Sequence, residues 1–381
     1  MGQKIALFHP WIKSLGGAER VVLELLEKSK HNIDIYTWLY DKEKTFHEFK
    51  KYNINILTPK FCKKFARFHI LRGLFLPLSM LKKIPLDKYD KFLISTSGVG
   101  EFITFRNYKK GQTYAYVHTP LRDANKKIIK WNLKNRYSSK IKKLIYLFSV
   151  KIYKIFEKIA WKKLDVVIFN SELSRSRAKE SNLITNQNKH IIYPPVNFSK
   201  FGELEVKKGK HFVYISRLNP PKRQDILIEA WKKFSKKNKG YKLILIGTPD
   251  NKKYYKKLLN LSKEDSSIEI MSGVSDKELG EILSNAKAGI FLGYQEDFGI
   301  IPLEILAAKK PLLAVNEGGY FKLIKKHPLF HKIRERHDKK DMINEVAKEL
   351  DKFMSKKYVK NTVEKIKIKN FIKKMDEVLG I

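Results

Sequence analysis

The sequence predicts an α/β protein made of two doubly wound parallel sheets in tandem, and three observations carry the prediction. Short β-branched or aromatic runs alternate repeatedly with longer helical patterns, the signature of parallel strands joined by right-handed helical crossovers. The length of 381 residues corresponds to two domains at roughly 150 residues each. Finally, 43% of the residues are apolar, with 23 Phe, 18 Tyr and 5 Trp. That is material for large cores, so the chain does not read as a disordered basic protein despite a formal charge of +40.

Taken in order, strands are expected at 4–9, 33–38, 54–57, 92–96, 113–118 and 166–170, each a short β-branched or aromatic run. The second half repeats the pattern at 211–216, 241–246, 268–271, 288–292 and 312–315. Between them Ile191-Ile-Tyr-Pro-Pro-Val-Asn197 and the polar stretch 199–210 read as a linker. The expected domains are therefore 1–200 and 201–381. A Lys-rich helical pattern over 359–379 has no strand after it and could cap either domain or cross back to the first. A doubly wound sheet binds its ligand at the carboxyl ends of its strands, so the natural site is where two such edges face each other.

Four segments at strand ends carry chemistry. Ser14-Leu-Gly-Gly-Ala-Glu-Arg20 follows the first strand and opens a helix near Gly17. Gly16 and Gly17 let backbone approach a ligand, and the free N–H groups of a first helical turn favour an anion. A plain tight turn explains the same residues equally well. Tyr116-Val-His-Thr-Pro-Leu-Arg122 ends the fifth strand, where His118 either hydrogen-bonds a substrate or caps the next loop. In Ser216-Arg-Leu-Asn-Pro-Pro-Lys-Arg223, Arg217 offers a planar fork for phosphate oxygens, and Lys222 is either a point charge for the same group or a solvated surface lysine. In Glu296-Asp-Phe-Gly-Ile-Ile-Pro-Leu-Glu304, Gly299 permits a tight approach and Pro302 suits a first helical turn. Glu296 and Glu304 can both accept bonds from sugar hydroxyls, while the amides of Phe298 to Ile301 can hold an anion. Read blandly, the two acids only favour a helix N-terminus.

These motifs, in this order, resemble glycosyltransferase family 4, the retaining, nucleotide-sugar-dependent transferases of GT-B architecture, with two Rossmann-like domains facing across a cleft. Glu296 and Glu304 match that family's Glu-x7-Glu, and Ser216 to Arg223 match its diphosphate loop. Gly16-Gly17-Ala18-Glu19, His118-Thr119-Pro120, Asn170-Ser171 and Tyr193-Pro194-Pro195-Val196 are similar to signatures of the first domain, most like the mannosyltransferases of envelope glycan and lipid-linked oligosaccharide assembly. The resemblance implies that Arg217 and Lys222 neutralise the donor diphosphate, Glu296 contacts the donor sugar and Glu304 the ribose. It further implies that Phe298, Gly299 and Ile300 line sugar and phosphates through backbone, and that Gly273 and Val274 flank the base. Gly16 and Gly17 would approach the diphosphate and His118 would face the transferred hexose. Glu19, Thr119 and Arg122 would lie on the acceptor side. The implied donor is GDP-mannose or a UDP-hexose, with no cofactor and no metal, since cations and helix N-termini stabilise the leaving group. Three positions depart from the pattern: Lys309 replaces a usual Gly, no acid follows Gly318-Gly319, and Asn197 replaces a usual Asp.

The charge points elsewhere than to nucleic acid. Only 12 of the 79 basic residues are Arg, whereas a base reader concentrates Arg for bidentate contacts. Two segments are locally basic, aromatic and nearly free of acids: 126–163, with 13 basic residues and the single acid Glu157, and 60–83, with seven and none. Such segments suit the surface of an anionic bilayer, or else pack their apolar faces on the first domain. One cysteine, Cys62, excludes an internal disulfide framework and fits a reducing compartment. No signal peptide or membrane-spanning helix is expected, so the sequence reads as a cytoplasmic enzyme peripheral to the inner face of the membrane. Competing expectations are a soluble transferase making a free glycoside or storage polymer, a basic nucleic-acid-binding protein, and a catalytically silent scaffold.

Overall fold

The computed structural model describes residues 2–58, 82–137, 139–196, 209–355 and 371–380. Most of the basic segment 60–83, most of the linker 199–210 and Asn197 lie outside them, as does the first part of the C-terminal pattern. The chain forms two compact units, 1–195 with 368–381, and 196–367.

The first unit contains β1 (Lys4–Phe8), β2 (Trp11–Ile12), α1 (Gly17–Lys28), β3 (Asn32–Thr37), β4 (Leu39–Tyr40), β5 (Ile54–Ile56), β6 (Lys91–Thr96), β7 (Thr113–Val117), α2 (Lys126–Asn135), α3 (Lys140–Trp161), β8 (Val166–Phe169), α4 (Glu172–Glu180) and β9 (Asn188–Ile191). Seven strands pair in parallel in the order β5-β3-β1-β6-β7-β8-β9. The middle of β1 reads Ile5-Ala6-Leu7-Phe8, all buried, as a strand covered on both faces must be. Helix starts are fixed by side chains: Asn125 accepts from the amides of Lys127 and Ile128, and Ser171 with Ser174 forms a capping box on α4.

The second unit contains β10 (His211–Ile215), α5 (Gln224–Lys237), β11 (Lys242–Ile246), α6 (Lys252–Ser262), β12 (Ile268–Met271), α7 (Asp276–Ser284), β13 (Ala286–Phe291), α8 (Ile300–Ala307), β14 (Leu312–Val315), α9 (Phe321–Ile324), β15 (Phe330–Ile333) and α10 (Lys339–Ser355). Its six strands are parallel in the order β12-β11-β10-β13-β14-β15. The last helix, α11 (Phe371–Leu379), joins the first unit. Its Phe371, Met375 and Leu379 pack among Ile5, Leu7, Val21 and Val22, and Ser29 Oγ donates to Asp376 Oδ1 at 2.7 Å.

Every expected strand is present within one or two residues. Four strands went unread in the sequence, β2, β4, β9 and β15. β2 and β4 are two residues long. β9 is an edge strand, Asn-Lys-His-Ile, exposed along most of its length, and such polar edges carry no hydrophobic signal. β15, at an edge of the second sheet, alternates a half-buried Phe330, buried His331, exposed Lys332 and buried Ile333.

The order of strands reverses between β1 and β6 in one sheet and between β10 and β13 in the other. Switch points of this kind leave a crevice beyond the strand ends. The segments beginning at Ser14, Ser216 and Leu292 follow β1, β10 and β13 on those crevices.

Candidate active site

In the second unit four loops are knitted together at the carboxyl edge of the sheet. The amide of Tyr294 donates to Pro221 O at 2.8 Å, that of Leu218 to Thr248 O at 2.9 Å, and that of Gly319 to Glu296 O at 3.0 Å. The loops after β10, β11, β13 and β14 are thus tied into one scaffold. On it Lys222 Nζ donates to Glu296 Oε2 at 2.5 Å, with the two side chains 15% and 20% exposed, and lies 5.4 Å from the centroid of the Phe291 ring. Lys222 is therefore not the solvated surface lysine of the bland reading. The carbonyl of Lys222 accepts from the buried Tyr214 hydroxyl, which in turn accepts from the Leu292 amide at 3.2 Å, so one phenol positions both loops. Arg217 is the more exposed of the two cations, and its guanidinium donates to Asp250 Oδ2 at 3.2 Å.

Two non-glycine residues here adopt left-handed backbone, Arg223 at φ 59° and Gln295 at φ 50°. That conformation costs an L-residue roughly 1–2 kcal/mol, and each is pinned by its side chain. Arg223 makes a bidentate pair with Glu335, both contacts at 2.7 Å, and stacks over Tyr294 at 4.5 Å. Burial works against its charge, but Glu335 more than restores it. Gln295 donates its amide and Nε2 to the two carboxylate oxygens of Glu317 at 2.8 and 2.7 Å. Burial, and then Glu335 nearby, raises the Glu317 carboxyl.

α8 starts beyond this scaffold. Gly299 is its N-cap at φ 86° and, as a glycine, brings no side chain of its own to cap the amides behind it. A Cβ at Gly299 would lie 2.5 Å from Tyr320 Cδ1, and one at Gly318, φ 103°, 2.8 Å from Tyr320 Cε1. Phe298 is buried, so the tight turn presents backbone rather than side chains. Glu304 is the fifth residue of α8, half-buried. Gly273 has φ 73° with open space around it, and Val274 beside it is half-buried. The site thus combines a paired cation and carboxylate, an exposed arginine and a helix N-terminus that begins at a glycine, which suits an anion carrying a polyol.

In the first unit His118 is buried and its Nε2 lies 2.9 Å from Ser95 Oγ, which is 3.0 Å from His9 Nδ1. One hydroxyl proton serves two ring nitrogens, so Ser95 donates to one histidine and accepts from the other. Burial, and secondarily His9, lowers the His118 pKa to about 3. His9 is lowered by burial as well, against the opposing Glu19. Glu19 is itself buried and accepts from Ser14 Oγ at 2.5 Å; a Cβ on Gly16 would meet its carboxylate at 2.3 Å. Gly17 is the first residue of α1. Thr119 is buried with its hydroxyl unpartnered among the described residues. Arg122 is half-buried in the 3-10 turn Arg122–Ala124. Tyr214, Arg223, Gln295, Glu317, Glu335, Ser95 and His9 escaped the sequence reading, because each acts through a partner 8 to 112 residues away. No group of three or more metal-ligating side chains occurs among the described residues.

Two doubly wound parallel sheets in tandem are the GT-B architecture. Residues 196–369 match the family Glycosyl transferases group 1, so the second unit is a domain of that family and the chain is a glycosyltransferase. It is 24% identical over 376 residues to Alpha-1,3/1,6-mannosyltransferase ALG2 of Saccharomyces cerevisiae, covering 85% of this chain and 71% of that protein. Similarity also extends to the human GDP-Man:Man(3)GlcNAc(2)-PP-Dol alpha-1,2-mannosyltransferase, 26% identical over 83% of this chain and 73% of that protein. Among solved structures, WaaG, a glycosyltransferase involved in lipopolysaccharide biosynthesis, superposes with a TM-score of 0.67 at 14% identity over 99% of both chains.

Proposed function

We propose that the protein transfers mannose from GDP-mannose to a lipid-linked glycan, with retention at the anomeric carbon, at the cytoplasmic face of a membrane that it contacts peripherally. A UDP-hexose is the alternative donor. The observation that carries the reading is the Lys222–Glu296 pair at 2.5 Å beside the glycine-capped start of α8; the sequence similarity to mannosyltransferases supports the sugar and the acceptor class.

In this reading the diphosphate takes Lys222 and Arg217 as counter-ions and the first amides of α8 as donors. As the bond from the anomeric carbon to the diphosphate breaks and an acceptor hydroxyl oxygen bonds to that carbon, its proton passing to the departing phosphate oxygen, the negative charge gathering on the leaving group is met by these preorganised donors. Glu296, released from Lys222, accepts from sugar hydroxyls, and Glu304 from the ribose. Gly273 and Val274 flank the base. On the first unit the neutral His118 bonds the transferred hexose, with Gly16 and Gly17 near the diphosphate and Glu19, Thr119 and Arg122 toward the acceptor. The cations and helix amides supply the charge stabilisation, so no metal enters the scheme.

The experiment is transfer of radiolabelled mannose from GDP-mannose to a lipid-linked oligosaccharide, with and without EDTA, for the parent and Glu296→Ala. The expected result is EDTA-resistant transfer that the variant loses by roughly 10²-fold or more. Equal nucleotide release from GDP-mannose and UDP-hexoses by parent and variant would overturn the site.

A further inference from the structure

α3 is amphipathic twice over. Its inner face is used within the first unit: Tyr146 and Val150 pack against Ala124, Tyr153 stacks on Phe102 at 6.2 Å, and Ala160 and Trp161 enter the core. The outer face is apolar too. Ile141, Leu144, Ile145 and Phe148 are 61–69% exposed, and the series continues through Ile152, Ile155, Phe156 and Ile159, all exposed. On a helix turning about 100° per residue these positions fall within about 60° of one line, a stripe about 27 Å long.

Charge says what covers it. Every charged residue of α3 except Glu157 is a lysine: Lys140, Lys142, Lys143, Lys151, Lys154 and Lys158. Lys140, Lys151 and Lys158 run along one margin of the stripe and Lys142 lies on the other, about 80–100° from its centre. The one acid, Glu157, is buried and turned inward. A second copy of this helix would bring lysine rows against lysine rows, and a stripe some 120° wide exceeds the narrow seam of a coiled coil. An anionic surface with an apolar layer beneath it complements both features.

We propose that α3 lies in the plane of an anionic lipid leaflet, with the Ile141–Ile159 stripe in the acyl boundary and its lysines among the headgroups. The same helix holds the loop that follows β7, since Glu157 Oε1 accepts from the Leu121 amide at 2.6 Å and Leu121 packs beside Tyr146 and Val150. Docking therefore sets Thr119 and Arg122 at a fixed height over the leaflet, and in this last respect the inference rests on the lipid-linked acceptor proposed above.

The test is co-sedimentation of the full chain with phosphatidylcholine vesicles with and without phosphatidylglycerol, for the parent, Ile145→Glu/Phe148→Glu/Ile152→Glu and Lys151→Glu/Lys158→Glu. The expected result is binding to anionic vesicles, weakened at least about tenfold by the apolar triple change and made less salt-sensitive by the lysine change. Melting temperatures should match the parent, because these side chains face outward. A parent that stays in the supernatant overturns the proposal. So does a dimer that the triple change makes monomeric, which would assign the stripe to a second copy. A triple variant that melts several degrees lower while the parent ignores vesicles would also overturn it, by showing that the stripe packs within the chain. Vesicle binding without mannose transfer would leave the docking helix standing and sink the proposed acceptor.

Discussion

Lys222 and Arg217 sit on one loop yet have different surroundings, and they should fail differently. Lys222 is largely buried against Glu296, so Lys222→Ala both removes the counter-ion proposed for the diphosphate and leaves a carboxylate uncompensated. We expect kcat to fall roughly 10²–10³-fold. Arg217, more than half exposed and paired with Asp250, contributes little to folding, so Arg217→Ala should change stability by no more than about 0.5 kcal/mol while weakening donor binding. Isothermal titration with the nucleoside diphosphate, beside denaturant melts, separates the two. Glu157 is a third residue with a legible signature. Burial first, and then the neighbouring Glu101, raises its pKa to about 8. The folded state therefore holds a proton that the unfolded chain releases above its usual 4.5, so stability falls as pH rises from there toward 8. Glu157→Gln keeps the acceptor for Leu121 and has no proton to lose. It should gain up to about 1.4 kcal/mol per pH unit on the parent across that window and nothing below it, read by urea melts at pH 5 and 8.

At the scale of the element, α8 is bounded by two left-handed residues of opposite fitness. Gly299 at its N-terminus needs φ 86° and leaves no room for a Cβ against Tyr320, whose hydroxyl donates to Val315 O at 2.9 Å and fixes the ring. Lys309 just past its C-terminus has φ 56°, a position that favours glycine. The departure noted in the sequence thus has a backbone cost. Gly299→Ala should destabilise by about 2 kcal/mol or more and weaken donor binding, whereas Lys309→Gly should stabilise by about 1 kcal/mol with donor affinity unchanged. Thermal melts of both variants with and without GDP-mannose check the pair; a destabilised Lys309→Gly would mean that the lysine side chain outweighs the strain. α3 shows the converse limit of sequence reading. Its residues announced a basic amphipathic segment, but only the packed structure separated the face that Tyr146, Val150 and Trp161 bury from the face that Ile141 to Ile159 expose.

Across the molecule, four buried titratable groups of the first unit act against each other. His118, with its pKa lowered to about 3, and His9, lowered in the same sense, stay neutral in the fold. Below pH 6.5 the unfolded chain takes up protons that these histidines refuse, so stability falls as pH falls. Glu157, and Glu101 raised likewise by burial, act oppositely above 4.5. From these groups the first unit should be most stable between roughly pH 4.5 and 6.5, where the two trends offset, and lose stability on both sides. A denaturation series that rose steadily to pH 8 would refute this balance. Strand positions, helix starts and the motifs at Gly16, His118, Arg217 and Glu296 were legible in the chain because they rest on local pattern: apolar runs, glycines, and prolines at the edges of strands. The polar edge strands β9 and β15 were not, having no such pattern. Nor were the partners of the site residues, since Arg223 finds Glu335, Gln295 finds Glu317 and His118 finds Ser95 only after parallel strands bring distant loops together. Sequence alone determined the two-sheet α/β class and which residue types stand at the strand ends, since both follow from short-range periodicity and turn chemistry. Tertiary structure alone decided that Lys222 meets Glu296, that α11 belongs to the first unit and that α3 keeps an apolar face outward, because burial and pairing depend on which strands become neighbours.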